Sequence, residues 1–259
     1  MNGLQIPIFE KGNIVTADML DAVKELAWDY QKTGFIGFGN GILCGCEITT
    51  SESAITIGRG IVVFNEILYY ITEPVSVRYQ ASNEWMIVQI VIENKFFYRN
   101  VEEQKLEVIV SGECDKRKDG IEVCRFRLQR GAFLRTVYRD FRDIETEYDT
   151  INVIDAKWSA YGGSTVTEKI LRLFADEITK KNTQDVTDFV FCQQIYQCNG
   201  RSLSRKAVVS YINRRLQMNK EDYSNREIYQ RLNEILRMQS GRDVRIQERP
   251  RRMGPIIVD

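Results

Sequence analysis

Six cysteines, a run of five carboxylates and a set of clustered arginines are the residues of this chain whose types and spacing invite chemistry. No histidine stands beside them. Without imidazole there is no Ser-His or Cys-His nucleophile pair and no His acid–base step, and most kinds of zinc site are excluded. The cysteines, at positions 44, 46, 114, 124, 192 and 198, contain no C-x-x-C pair. Cys44 and Cys46, two apart in a β-rich run, are expected on one strand face, and a tetrahedral metal would need two distant cysteines to complete it. Cys192 and Cys198, six apart in a helical pattern, fall on roughly opposite faces. The six are therefore expected to be reduced, half-buried small hydrophobes rather than a disulfide frame. Asp140, Asp143, Glu145, Glu147 and Asp149 have the chemistry for paired-carboxylate hydrolysis or Mg²⁺ binding. They interleave with Arg139, Phe141, Arg142 and Tyr148, and no helical or strand register gathers two of them, so a solvated connector or interface patch is the expectation. Gly37, Gly39 and Gly41 look like a phosphate loop, but they follow a helical pattern and open a strand, the reverse of the order a phosphate site needs. Ser164 lacks the G-x-S-x-G frame and is expected to cap or turn. No catalytic residue, metal ligand or cofactor site is expected.

The arginines are a different case. Formal net charge is zero, yet residues 200–259 hold 14 Lys/Arg against 7 Asp/Glu, a surplus of seven that the rest of the chain balances. In the run from Ser204 to Leu216, helical spacing turns Ala207, Val208, Tyr211, Ile212 and Leu216 inward. Arg205, Lys206, Arg214 and Arg215 are expected outside. The following helix carries Arg226, Arg231 and Arg237, so the pair could mimic a helix-turn-helix, although the acidic loop 219–224 is long for that motif. A basic face for a protein partner is favoured over DNA, with Arg205, Arg214 and Arg215, and Arg249, Arg251 and Arg252 on an extended tail, as the candidate partner-binding residues. A DNA-binding regulator using these helices is the alternative. A glycan or cell-wall hydrolase built on Asp140 or Asp143 is a second competitor.

Five segments carry these residues. Residues 1–35 hold an amphipathic helix, capped by Thr16, with apolar positions at 19, 20, 23, 26, 27 and 30. Residues 36–145 are β-rich: short Gly-cut runs across 41–77, a two-residue Asn65-Glu66 hairpin turn, a central apolar strand at 84–92, and alternating strands at 105–110 and 121–128 flanking a charged hairpin tip at 113–120. A further strand is expected at 131–138. Residues 146–163 form the connector. Residues 164–241 contain four helices: from a Thr165/Glu168 capping box to about 181, from 185 to 198, from 202 or 204 to about 218, and from a Ser224/Glu227 capping box to a stop at Gly241. Residues 242–259 are a basic, Pro-broken tail. The fold class is thus α+β: an N-terminal helix and a Gly-rich antiparallel β-module, then about four helices. At 43% apolar and 28% charged residues, the composition is that of a globular protein that buries a core. No apolar run reaches the 18 residues of a membrane span, and the N-terminus lacks a basic n-region and a long apolar h-region.

The run Gly41-Ile-Leu-x-Gly45, then Gly58-x-Gly60-Ile-Val-Val-Phe-Asn65-x-Ile-Leu-Tyr69, then the 121–128 strand leading into Arg139-Asp-Phe-Arg-Asp143, resembles tail proteins of bacteriophages, prophages and phage-tail-like particles. The likeness is to small baseplate or tail-fibre-attachment components and spans residues 1–163. It implies a structural, non-enzymatic virion or tail-particle subunit, assembled in the bacterial cytoplasm and bridging baseplate and fibre. It also implies other tail proteins and further copies of the chain as partners, no cofactor, and neither membrane nor nucleic acid as a target.

Overall fold

Short β-branched runs broken by turn residues pair locally, and this dictates the first half of the fold. The structure, a computed structural model, describes residues 6–93, 96–98, 101–103, 105–181 and 183–247. Helix α1 (Ala17–Gly34) leads, with the Thr16 hydroxyl accepting from the Met19 N–H. Strands β1 (Gly41–Gly45), β2 (Ile48–Thr50), β3 (Ala54–Ile57), β4 (Gly60–Phe64), β5 (Ile67–Ile71) and β6 (Val75–Arg78) follow in close succession. Then come β7 (Trp85–Ile92), β8 (Phe96–Tyr98), β9 (Val101–Glu103), β10 (Leu106–Gly112), β11 (Ile121–Arg127), β12 (Trp158–Ala160) and β13 (Gly163–Thr165). The fold is mixed α+β, with an N-terminal helix, predominantly antiparallel sheets and four C-terminal helices. The β4–β5 turn falls at the predicted step. Asn65 and Glu66 both have positive φ, at 50° and 64°, which is what a two-residue type I′ hairpin demands.

Three expectations about the β half need correcting. Residues 113–120 are not a hairpin tip, because β10 and β11 lie on opposite sides of β7 in the order β10-β7-β11. β7, apolar on both faces, takes the centre, and the segment 113–120 crosses its end. The buried Gln89 side chain holds that crossing, donating to the Arg117 carbonyl and accepting from the Arg117 N–H, both at 2.9 Å. Gly120 is needed there, since a Cβ would sit 2.3 Å from the Gln89 amide nitrogen. Second, the strand expected at 131–138 reduces to a single bridge between Arg135 and Thr150. Third, residues 146–163, expected as the connector, also build core and sheet. Ile151, Val153, Ile154 and Ala156 are buried, and β12 and β13 complete a five-stranded sheet in the order β13-β12-β1-β4-β5. Position 158 pairs with Ile42, more than a hundred residues earlier, and local periodicity carries no trace of so distant a partner.

Helices α2 (Glu168–Lys180), α3 (Val186–Gln197), α4 (Arg205–Leu216) and α5 (Asn225–Gln247) match the four expected segments closely. The cap of α2 is Thr167 rather than Thr165, whereas Asp185 and Ser204 cap α3 and α4. Asn199 and Gly200, both at positive φ, turn the chain after α3. α5 runs through Gly241 instead of stopping there, because a helix-interior glycine costs only about 1 kcal/mol against alanine. The α5 capping box forms as read, with Glu227 accepting from the Ser224 N–H at 2.8 Å and its own N–H donating to the Ser224 hydroxyl.

One apolar cluster runs from Ile42 in β1 to Leu236 in α5, so the β half and the helical half share a core. Aromatic rings join them. Phe141 stacks on Tyr229 at 4.8 Å and meets Phe174 edge-on at 6.0 Å, Phe174 meets Tyr211 at 5.8 Å, and Tyr211 stacks on Phe191 at 3.8 Å. The Tyr229 hydroxyl donates to the Phe141 carbonyl at 3.0 Å, so the stack is also tethered to backbone.

Two outcomes are expected. Phe141→Ala should cost about 3–5 kcal/mol in urea unfolding, with near- and far-ultraviolet dichroism moving together in one transition, as a shared core requires; two separated transitions would contradict it. Glu227 is held down to about 2, from an ordinary value of 4.5, by its Lys220 partner and by the Ser224 N–H and hydroxyl. A depressed carboxylate stabilises the fold above its unfolded value and loses that contribution as pH falls through the folded one. The melting-temperature gap between wild type and Glu227→Gln should therefore be full above about pH 5 and close as pH drops toward 2.

Candidate functional site

The arginines singled out by their spacing divide into three groups. Arg215 is not outside: its side chain is 6% exposed, with its Nε donating to Asp188 at 2.6 Å and a terminal nitrogen 3.1 Å from Asp185. The inward turn has a physical cause in Asp188, a fully buried carboxylate that needs donors. Asp188 also accepts from the hydroxyls of Thr183 and Tyr211, each at 2.7 Å, and from the Gln239 amide at 2.9 Å. One carboxylate thus ties α3, α4, α5 and the segment before α3 together. Burial, reinforced by the neighbouring Asp188 charge, pushes the Tyr211 hydroxyl far above its ordinary value, keeping it a donor. Burial alone would lower Arg215, but the charge and hydrogen bond of Asp188 outweigh it and hold the guanidinium charged.

Arg205 is half-buried and its fork is fully engaged. It donates to the Ser164 carbonyl at 2.8 Å, the Tyr223 carbonyl and Asn225 Oδ1. It brackets β13, α4 and the start of α5 rather than a partner. Arg214 is exposed on α4, as is Lys206. Arg249, Arg251 and Arg252 lie outside the described residues. The basic face read from helical spacing is therefore reduced, because two of its members work internally.

The acidic run 140–149 is likewise structural. Asp143 takes a two-pronged ion pair from Arg135 and accepts from the Arg139 N–H and the Thr146 hydroxyl, contacts that hold its carboxyl well below the usual carboxylate range. Asp140 accepts from the N–H groups of Arg142 and Asp143, Asp149 from that of Gln129, and Glu147 pairs with Arg127. Each of these four carboxylates has its own set of partners. Among the described residues no three of Cys, Asp and Glu stand close enough to hold a metal. Cys46 lies just past the end of β1 and adopts φ 55°, so the two cysteines do not share a strand face. Burial, with a smaller push from Cys44, raises its thiol to about 12, and burial raises Cys192 to about 11. Neither supplies a thiolate near neutral pH.

A cleft of about 510 Å³ opens where the sheet meets the start of α2, floored by Ile42, Ile48, Tyr138 and Trp158. Three of its charges are engaged: Lys169 donates to the Thr136 carbonyl over the Tyr138 ring, and Arg172 pairs with Glu168. Burial lowers Lys169, against the smaller opposing pull of Glu47 and Glu168.

What stands open is apolar. No residue of α1 is buried, although Leu20, Val23, Leu26 and Tyr30 repeat along one side; Ile6, Ile8, Phe9, Ile14 and Val15 before it are exposed too. The helix touches the rest of the chain near its C-terminal end, where the Gln31 amide donates to the Leu68 carbonyl of β5. On α3, Val186 and Phe189 are exposed at 74% and 62%, and Val190 extends the patch at helical spacing. Periodicity displays the α1 stripe, but an apolar stripe does not announce whether its own chain covers it. No helix among the described residues is long and apolar enough to cross a membrane. For the internal lock, Asp188→Ala would strand Arg215 in the interior, and a loss of about 3–5 kcal/mol is expected in urea unfolding; a loss under about 1 kcal/mol would show that the carboxylate does not hold the helices.

No protein-family model matches the sequence, and no curated protein matches it. Three solved structures resemble the fold in outline. A chain of the type VI secretion system TssK-TssF-TssG baseplate subcomplex, determined by cryo-electron microscopy, superposes with a TM-score of 0.40 at 11% identity, covering 91% of this chain and 99% of that one. A crystal structure of TssK gives 0.38 at 8% identity over 92% and 69% of the two chains. A chain of the type VI secretion baseplate complex gives 0.33 at 10% over 90% and 99%.

Proposed function

We propose that this chain is a structural, non-enzymatic subunit of a phage tail or tail-like contractile particle, bridging baseplate and fibre components through protein–protein contacts. The observation that carries this proposal is the uncovered apolar surface at two separate places, α1 with the segment before it and the outer face of α3. Contiguous apolar patches beyond a few hundred Å² are uncommon on proteins that work alone and mark interaction sites. A body stitched by one core and by fully satisfied buried charges, with two docking faces, suits a bridging element. The Gly-rich module of residues 41–69 supplies the resemblance to tail components. Internal use of Arg205 and Arg215 weakens the alternative of a DNA-binding regulator, since duplex binding relies on cations free to meet phosphates.

Co-expression with the products of the flanking genes tests the proposal. A stable complex with sheath, tube, baseplate or fibre proteins is expected, together with at least a tenfold weaker complex when Phe189→Asp breaks the α3 face. Failure to bind any of them, or salt-dependent duplex binding lost in Arg214→Ala, would overturn it.

A further inference from the structure

The proposed function leaves open what covers α1, and its geometry singles out one occupant. We infer that α1 packs against α1 of a second copy of this chain, parallel and in register, an assignment that rests on the docking role proposed above. Met19, Val23, Leu26 and Tyr30 alternate at spacings of four, three and four, the a/d repeat of a two-stranded coiled coil, with Val23 and Tyr30 at a and Met19 and Leu26 at d. Leu20, Ala22 and Ala27 flank this seam, so the positions beside it are apolar or small and allow close approach. The charged residues Asp18, Asp21, Lys24, Glu25 and Lys32 fall on the outer positions. Asp29 is the one charge next to the seam, and in a parallel pair its opposite number is Gly34, so identical copies meet without like-charge repulsion. An acidic or basic partner helix would gain no complementary charge along this seam.

Among the described residues the rest of the fold leaves the seam free. Gln31, which contacts β5, lies about 100° around the helix from Tyr30. Met19 is half-buried, whereas Leu20, Val23, Leu26 and Tyr30 are exposed. With Ile6, Ile8, Phe9, Ile14 and Val15 of the same segment, these side chains present on the order of 1,000 Å² of surface, comparable with the roughly 800 Å² per partner of a standard interface. Helix stability argues the same way. An 18-residue helix with no buried residue gains nothing from its own chain's core, and helices of this length are marginal in water without packing.

Sedimentation of the purified full chain from 1 to 100 μM tests the inference. The wild type is expected to be oligomeric, with Val23→Asp and Leu26→Asp each weakening self-association at least tenfold, and Glu25→Lys, on the outer side, leaving it unchanged. Because α1 lies outside the core, all three variants should keep the wild-type melting temperature of the remaining fold at the lowest concentration. A second measurement does not depend on the aspartate variants: under mild oxidation Leu26→Cys should form a covalent dimer of the chain, and Glu25→Cys should not. A monomeric wild type, or an oligomer indifferent to both aspartates, overturns the inference. So does equal cross-linking of the two cysteine variants. A monomer that still binds the flanking-gene products would sink this pairing and leave the proposed function standing, whereas an α1-dependent oligomer that binds none of them would do the reverse.

Discussion

The packing of Phe141 between Tyr229 and Phe174 is the contact on which the arrangement of the two halves depends. Phe141 belongs to the segment leaving the β half, and Phe174 and Tyr229 belong to α2 and α5. Their rings turn two sets of elements into a single body. From there the relay continues through Tyr211 to Phe191, reaching every C-terminal helix. Rings of this size bury a large apolar area each and prefer the offset and edge-on contacts seen here, so few residues suffice to fix the relative placement.

Buried charge adds direction to that apolar joint. Asp188 is costly to bury and tolerable because four donors converge on it, and removal of a partner is felt more strongly than formation of the pair. Glu122 plays a comparable part in the β half. It is 1% exposed, with Lys116 at 2.6 Å and Arg125 at 2.8 Å, and Arg125 passes the network on to Asp155, which also meets Arg226 of α5. Ionic contacts thus cross between the halves at the same seam that the aromatic rings close. An arginine used this way is withdrawn from the surface, which is why the C-terminal helices are less basic to an approaching partner than their composition suggests.

With Asp188 and Glu122 paired inside, the uncovered apolar parts of the surface become informative. Among the described residues no element covers the stripe on α1 or the outer side of α3, while Asp143 and Glu147 are paired and burial holds Cys46 and Cys192 protonated. Surface of this kind has value in an assembly, where a neighbouring subunit removes it from water.

Much of this was legible along the chain. Thr16, Asp185, Ser204 and the Ser224/Glu227 box announce helix starts because capping is local, and Asn65-Glu66 announces a hairpin because turn geometry is local too. The strand at 85–92 shows its central place by being apolar on both faces. The lack of His, a matter of composition, disposes of whole classes of catalysis before any fold is known. Other features were decided only in three dimensions. That β10 and β11 flank β7, that residues 158–165 close the first sheet, and that Arg215 points inward to Asp188 all depend on partners many residues away, to which a periodic pattern is blind. Helical spacing put Arg214 and Arg215 on one outer face, but a buried carboxylate drew the second inward. The α1 stripe is the converse case: sequence alone displays it in full, and only the folded chain reveals that nothing among the described residues supplies the cover.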